Sequence, residues 1–237
     1  MAGSIDEDTL WRALSLGVTG ALRARLHPAR PVRPPLPSSD WSTDVSPSAP
    51  VTCQVPSGRV FTFSTHRGSV TTRPAAITDH EAVGAMHTRS SLESRYNRYQ
   101  SARGGPSRRE WSALIRPGTG ESYVSRPDTE PLRVVSVCHL LHTPTEGVGE
   151  LGILVEDAWQ DLGLGTALVR HVLNRSRCLG LHTVLVMTGW SNHRMRAICR
   201  TLGSRTLRVD GDILELALPA APSATGPCTR GHGRRTR

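Results

Sequence analysis

Apolar residues recur along this chain with two periods, and the change from one to the other marks out its elements. Leu10, Leu14, Val18, Leu22 and Leu26 fall at steps of four, which would lay one apolar side along a helix. Pro28, Pro31, Pro34, Pro35 and Pro37 end it, because proline lacks an amide hydrogen and clashes with the preceding turn; Ser/Pro-rich sequence continues to Pro50 as an extended linker. From about Val60 to Leu218 the pattern alternates. Ser69 to Arg73 predicts a short strand. Thr78 and Glu81 have capping-box spacing ahead of Ala82, Val83, Ala85 and Met86. Ser90 and Glu93 open a second helix through Tyr96 and Tyr99, and Ser107 to Ile115 predicts a third. Arg133 to Leu141 reads as a strand. So does Val148 to Val155, with Leu151, Ile153 and Val155 on one face and Glu150, Gly152 and Leu154 on the other. A helix follows from Gly163 to Cys178, with Leu164, Leu168 and Val172 at spacing four and Gly180 to stop it. Thr183 to Met187 is β-branched and apolar, a buried strand. Asn192 to Leu202 is a short helix ended by Gly203. Thr206–Val209 and Ile213–Leu218 form a hairpin around Asp210-Gly211-Asp212. The class is mixed α/β: a domain over residues 60–218, an extension over 1–58 and a basic tail over 219–237.

Composition changes this picture little. The chain has 237 residues and a formal charge of +9, and all 29 of its Lys+Arg residues are arginine. The arginines are spread out, except for Arg230, Arg234, Arg235 and Arg237 in the tail, and no helix-turn-helix or zinc-finger pattern accompanies them. A solvated basic tail is therefore expected rather than a nucleic-acid interface. The five cysteines are scattered without a C-x-x-C pair, so neither a disulfide framework nor a zinc site is expected. No apolar run approaches the roughly 20 residues that span a bilayer. Asp6, Glu7 and Asp8 precede Leu10–Leu26 and Arg12 interrupts it, the wrong polarity for a signal peptide. A soluble, cytoplasmic chain is the expectation. His80, His87, His171, His182 and His193 lie apart, and surface or half-buried positions suit them better than metal ligation. Cys199 reads as a core residue.

The chemistry concentrates where the strand Val148–Val155 turns into the helix after it. The turn reads Gln160-Asp161-Leu162-Gly163-Leu164-Gly165-Thr166. Glycines there let backbone amides approach an anion, and the helix start adds unpaired N–H groups and a partial positive charge. A Walker loop is excluded, since its lysine is missing; a dinucleotide fingerprint needs a third glycine where Leu168 sits and an acid where Met187 and Thr188 sit.

Gln160-x-x-Gly163-x-Gly165, set between strand and helix and followed by a strand and an Asn-bearing helix, resembles the acyl-CoA pyrophosphate loop of the GNAT superfamily of N-acetyltransferases. Ser91-Leu92-Glu93-Ser94-Arg95-Tyr96-Asn97-Arg98-Tyr99 and Ile77-Thr78-Asp79 are similar to the first helices of its bacterial protein-lysine acetyltransferase branch. The resemblance implies a central mixed sheet flanked by helices and acetyl transfer from acetyl-CoA to an amine on a protein or a small molecule. No metal is implied, and a homodimer is left open. It also implies site roles: the backbone of Leu154 and Val155 along the pantetheine and offering an oxyanion donor, Gln160 and the amides of Leu162, Gly163, Leu164, Gly165 and Thr166 at the pyrophosphate, and Asn192 near the thiol end. Glu150 is the implied general base. Tyr96, Arg98 and Tyr99 are candidates for lining the acceptor site, whereas Glu156 and Asp157 read as turn and helix-entry charges. Three departures stand out. Cys199 occupies the position of the family's general-acid tyrosine, Ser204 follows Gly203 where Phe is usual, and Glu121–Pro131, poor in apolar residues, predicts a short or frayed strand. A module that binds acyl-CoA without catalysis is the alternative.

Overall fold

The computed structural model describes residues 60–101 and 103–220; the predicted helix at 10–26, the linker at 28–50 and the tail beyond 220 lie outside them. Eight strands form one sheet: β1 (Phe61–Thr65), β2 (Gly68–Pro74), β3 (Gly120–Pro127), β4 (Ser136–His142), β5 (Val148–Val155), β6 (Thr183–Gly189), β7 (Arg205–Asp210) and β8 (Ile213–Pro219). The order across the sheet is β1-β2-β3-β4-β5-β6-β8-β7, and only β5 and β6 run parallel. Five helices cover it: α1 (His80–Arg89), α2 (Leu92–Tyr99), α3 (Arg108–Leu114), α4 (Leu164–Cys178) and α5 (His193–Thr201). α4 makes the crossover between the parallel pair, as parallel strands require.

The faces of β5 decide which helix lies where. Leu151 packs with Leu164, Leu168 and Val172 of α4 and with Val184 and Val186 of β6. Leu154, on the opposite face, packs with Val83 and Met86 of α1 and Trp111 and Leu114 of α3. The two cores are thus separated by the sheet, and α1–α3 and α4 lie on opposite sides of it. The fully buried Trp111 anchors the first of them, and its indole N–H donates to the Ala76 carbonyl.

Several boundaries differ from the sequence reading. Thr78 does not cap α1. A short 3-10 turn, Ile77–Asp79, precedes the helix, and the buried Asp79 instead accepts from the Ala76 amide and from Arg73 and Arg126. Burial alone would raise the Asp79 carboxyl, but these bonds outweigh it and hold the pKa below the usual range. Ser91 rather than Ser90 caps α2, accepting from Ser94 N, while the Ser107–Glu110 capping box of α3 forms. β3 is neither short nor frayed. Its eight residues are almost all buried because its polar side chains are paired: Glu121 with Arg175, Ser122 with His139 and the Leu114 carbonyl, and Ser125 with Thr72 and Ser136. β4 begins three residues later than predicted, since Arg133 turns away to Glu130 and Glu156. His87 and His171 are fully buried rather than half-buried. Among the described residues no helix is long and apolar enough to cross a membrane.

Candidate active site

β5 is paired with β4 along its whole length, but its register with β6 ends at Leu151↔Val186. Beyond that point the parallel strands part, and the last four residues of β5 have no strand on that side. Thr143 N donates to Val148 O and Glu156 N to Val135 O, so the even-numbered residues of β5 turn their backbone polar groups towards β4. The alternation of an extended strand then turns those of Ile153 and Val155 into the gap. A cavity of about 540 Å³ occupies this fork, bordered on one side of the sheet by Glu93, Ser94, Asn97 and Arg98 of α2 and on the other by α4 and α5.

The mouth on the α4 side is built for an anion. Gly163 adopts φ +84° as the N-cap of α4, a conformation that L side chains rarely adopt. No side chain caps this end, the first turn carries no acid, and Ala167 N donates to Gly163 O to open the helical ladder. The amides of Leu164, Gly165 and Thr166 are therefore left without helical acceptors, and the axial dipole adds to their positive potential. Gly165 has an ordinary φ, and a Cβ there would meet Ile198 at 3.4 Å. The two glycines of the motif thus serve different ends, one a backbone angle and the other open space.

Around this mouth the predicted residues take distinct places. Gln160 borders the cavity, with its amide donating to Val155 O and Ser94 Oγ, so it braces the loop against α2. The side chains of Leu162 and Leu164 pack into the core, which leaves those residues their backbone alone to offer. Asn192 borders the cavity as N-cap of α5, its Oδ1 accepting from Met195 N. Leu154 also borders it, but its amide faces β4, so Ile153 takes its place beside Val155. Glu150 is half-buried on the α2 face, two residues before Gly152, and is not among the residues that border the cavity. The space beside Gly152 is filled by the Arg98 guanidinium, whose Nη2 lies 2.2 Å from where a Cβ would stand.

The neighbouring charges have settled roles. Glu156 is buried between Arg89 and Arg133. Asp157 accepts from Ser91 N, Ser91 Oγ and Ser94 Oγ; burial raises its carboxyl, and these bonds more than reverse the effect. Asp161 and Arg194 pair at 2.8 Å across the mouth. Tyr96 is exposed, whereas Tyr99 is buried with its hydroxyl 2.7 Å from His87 Nε2. Burial pushes the Cys199 thiol up to about 11, and the side chain is enclosed in the core and does not border the cavity, so it is not placed to give a proton there. Sequence reasoning missed Thr188. It borders the cavity from β6, and its buried hydroxyl has no partner. Among the described residues no group of three His, Cys, Asp or Glu is placed to hold a metal ion.

The described residues thus form a mixed α/β fold whose sheet forks beside an uncapped helix start. Residues 87–203 match the acetyltransferase (GNAT) family model. The structure is similar to the GNAT domain of S. lividans PAT, with a TM-score of 0.61 at 17% identity over 69% of this chain and 98% of that one. It also resembles Mycobacterium smegmatis RimJ in complex with CoA-disulfide, with a TM-score of 0.52 at 19% identity over 68% and 87% of the two chains. A third likeness is to spermidine N-acetyltransferase from Vibrio cholerae in complex with CoA and spermine, with a TM-score of 0.52 at 14% identity over 64% and 95%. No curated protein matches the sequence.

Proposed function

We propose that this chain transfers an acetyl group from acetyl-CoA to an amine, on a protein or a small molecule, with Glu150 as general base. The observation that carries the reading is the fork. Unpaired β5 backbone and the free amides of α4 border one cavity that is open to both faces of the sheet. The pantetheine would lie along Ile153 and Val155 as an extra strand, with its diphosphate at Leu164–Thr166 and the thiol end near Asn192. The acceptor enters from the α2 face.

The amine nitrogen attacks the thioester carbonyl, the C–N bond forms, and the C–S bond breaks. Before attack the ammonium form must lose a proton. Glu150 lies roughly 7 Å along the strand from Gly152, a distance that calls for a bridging water. The amide of Ile153 or Val155 faces the gap and would stabilise the oxyanion. With Cys199 enclosed in the core, coenzyme A leaves as the thiolate, and the proton released by the acylated nitrogen passes through water to that thiolate, leaving the neutral amide and the free thiol. The experiment is calorimetry with acetyl-CoA followed by thiol release across a panel of amines and lysine peptides. Micromolar binding and amine-dependent release are expected; no heat with acetyl-CoA would overturn the reading, and binding without release to any amine would favour a coenzyme-binding module.

A further inference from the structure

The buried and half-buried arginines of this fold are mostly matched to carboxylates. Arg73 and Arg126 share Asp79, Arg89 and Arg133 share Glu156, Arg175 holds Glu121, and Arg103 holds Glu110. Arg98 departs from this rule. It is half-buried and borders the cavity, its Nε is buried without a partner, and among the described residues no carboxylate ion-pairs with it. Its guanidinium lies over the face of the Tyr99 ring, 4.8 Å from the centroid, and the Tyr99 hydroxyl is itself tied to His87. Arg95, three residues earlier on α2, adds a second guanidinium whose Nε is buried and unpartnered.

No carboxylate among the described residues forms an ion pair with Arg98, and the titratable groups packed around it are neutral or engaged. His87 and His139 are buried and neutral at pH 7: burial lowers both, and the Arg98 charge lowers them further. Of the carboxylates that border the cavity, Glu93 is exposed on α2, Asp157 is held by Ser91 and Ser94, and Asp161 by Arg194. Gly152 lets the guanidinium lie against the centre of β5, one residue beyond the last β5–β6 pair and on the face opposite α4. A half-desolvated cation without a partner is costly unless a ligand completes it.

Taking the acetyl-transfer reading as its basis, we propose that Arg98 determines acceptor specificity by binding a carboxylate carried by the amine, so that the acceptor is a small amino acid-like molecule. The guanidinium fork suits a carboxylate in two-point contact, and its charge disfavours polyamines. The carboxylate is assigned to the acceptor rather than to the acyl group because Arg98 stands on the α2 face, away from the coenzyme mouth at α4.

The test uses the full chain, acetyl-CoA and matched acceptors: free amino acids, the same amino acids as carboxamides, spermidine and an internal-lysine peptide. For the wild type, kcat/KM is expected to be at least about 10-fold higher for the acids. Arg98→Met should raise the KM for the acids about 10- to 100-fold while leaving the Kd for acetyl-CoA unchanged. Arg98→Lys should recover part of the loss. Gly152→Ala, whose Cβ would displace the guanidinium, should reproduce it. Equal use of acids and amides, or of spermidine or the peptide in preference to the acids, would overturn the proposal. So would an Arg98→Met loss shared by acids and amides, or a preference for succinyl-CoA with amide acceptors, which would move the anion to the donor. Absence of acetyl-CoA binding would instead remove the underlying acetyl-transfer reading.

Discussion

The two halves of β5 are made of similar residues and end up in opposite states. Val148–Leu151 lies between β4 and β6, with both backbone edges paired, while Gly152–Val155 is paired with β4 alone. The same contrast holds for buried polar groups. His171, in the closed part of the sheet, has neither ring nitrogen bonded and is packed between the rings of Phe61 and Tyr123. Thr188, at the fork, also lacks a partner, but it borders a cavity. An unsatisfied group inside a packed core is a cost that the protein carries; one beside a cavity is a place for a ligand to bond. Burial alone does not separate the two cases, and access does.

The largest expected effect tests whether the fork is a reaction site at all. Glu150→Gln keeps shape and removes the base, so thiol release with amines should fall about 10²- to 10⁴-fold while acetyl-CoA affinity stays within a few-fold of wild type. Steady-state thiol release and calorimetry on the same preparation check it. A parallel loss of coenzyme binding would make Glu150 a structural residue.

Next in size is the anion mouth. Gly163→Val forces a β-branched residue to φ +84° and brings its Cβ within 3.1 Å of Phe63, so the α4 start must shift. Acetyl-CoA Kd should rise about 10- to 100-fold, against a smaller rise for Gly165→Ala, whose Cβ meets ordinary van der Waals space. Equal effects would mean that the backbone angle at Gly163 does not shape the site.

The closed half makes a prediction about pH. His87 and His171 are each pushed to about 4, chiefly by burial. Both therefore fold neutral, the unfolded chain binds more protons between pH 6.5 and about 4, and stability falls as pH drops through that window. The slope is at most about 1.4 kcal/mol per pH unit for each histidine. Thermal melts from pH 7 to 4.5 should show the decline. His171→Leu should make the decline shallower, with the His87 share remaining, and leave stability at pH 7 unchanged or improved, because a buried imidazole without bonds is lost.

What the chain disclosed before its structure was known follows from where each signal resides. β5, α4 and the Gly180 stop were legible because periodicity and glycine placement are local. The Ser107–Glu110 box was legible for the same reason. β3 was misjudged because its polar residues are satisfied by partners on other elements: Arg175 is 54 positions from Glu121. β1 was missed because Phe61 and Phe63 alternate over only five residues. At the site, the glycine loop and Asn192 were visible as motifs. The fork was not, since it depends on where two strands some 35 positions apart stop pairing. Arg98 was legible as a candidate, but its lack of an ion pair appears only once Arg73, Arg89, Arg103, Arg126, Arg133 and Arg175 have each been matched to an acid.

The smallest effect is the most discriminating for the contrast between His171 and Thr188. Thr188→Val removes a buried hydroxyl that has no partner in the protein by itself, so the free protein should gain up to about 1 kcal/mol rather than lose stability. If coenzyme or acceptor completes that hydroxyl, the same substitution weakens binding of one of them by a few-fold, and ligand-induced stabilisation in thermal melts shrinks although the unliganded melt rises. His171→Leu should raise or hold the unliganded melt without touching the ligand-induced shift. If both substitutions leave the ligand-induced shift intact, the open edge of β5 is a packing defect like the enclosed histidine and not a place where substrate completes the fold.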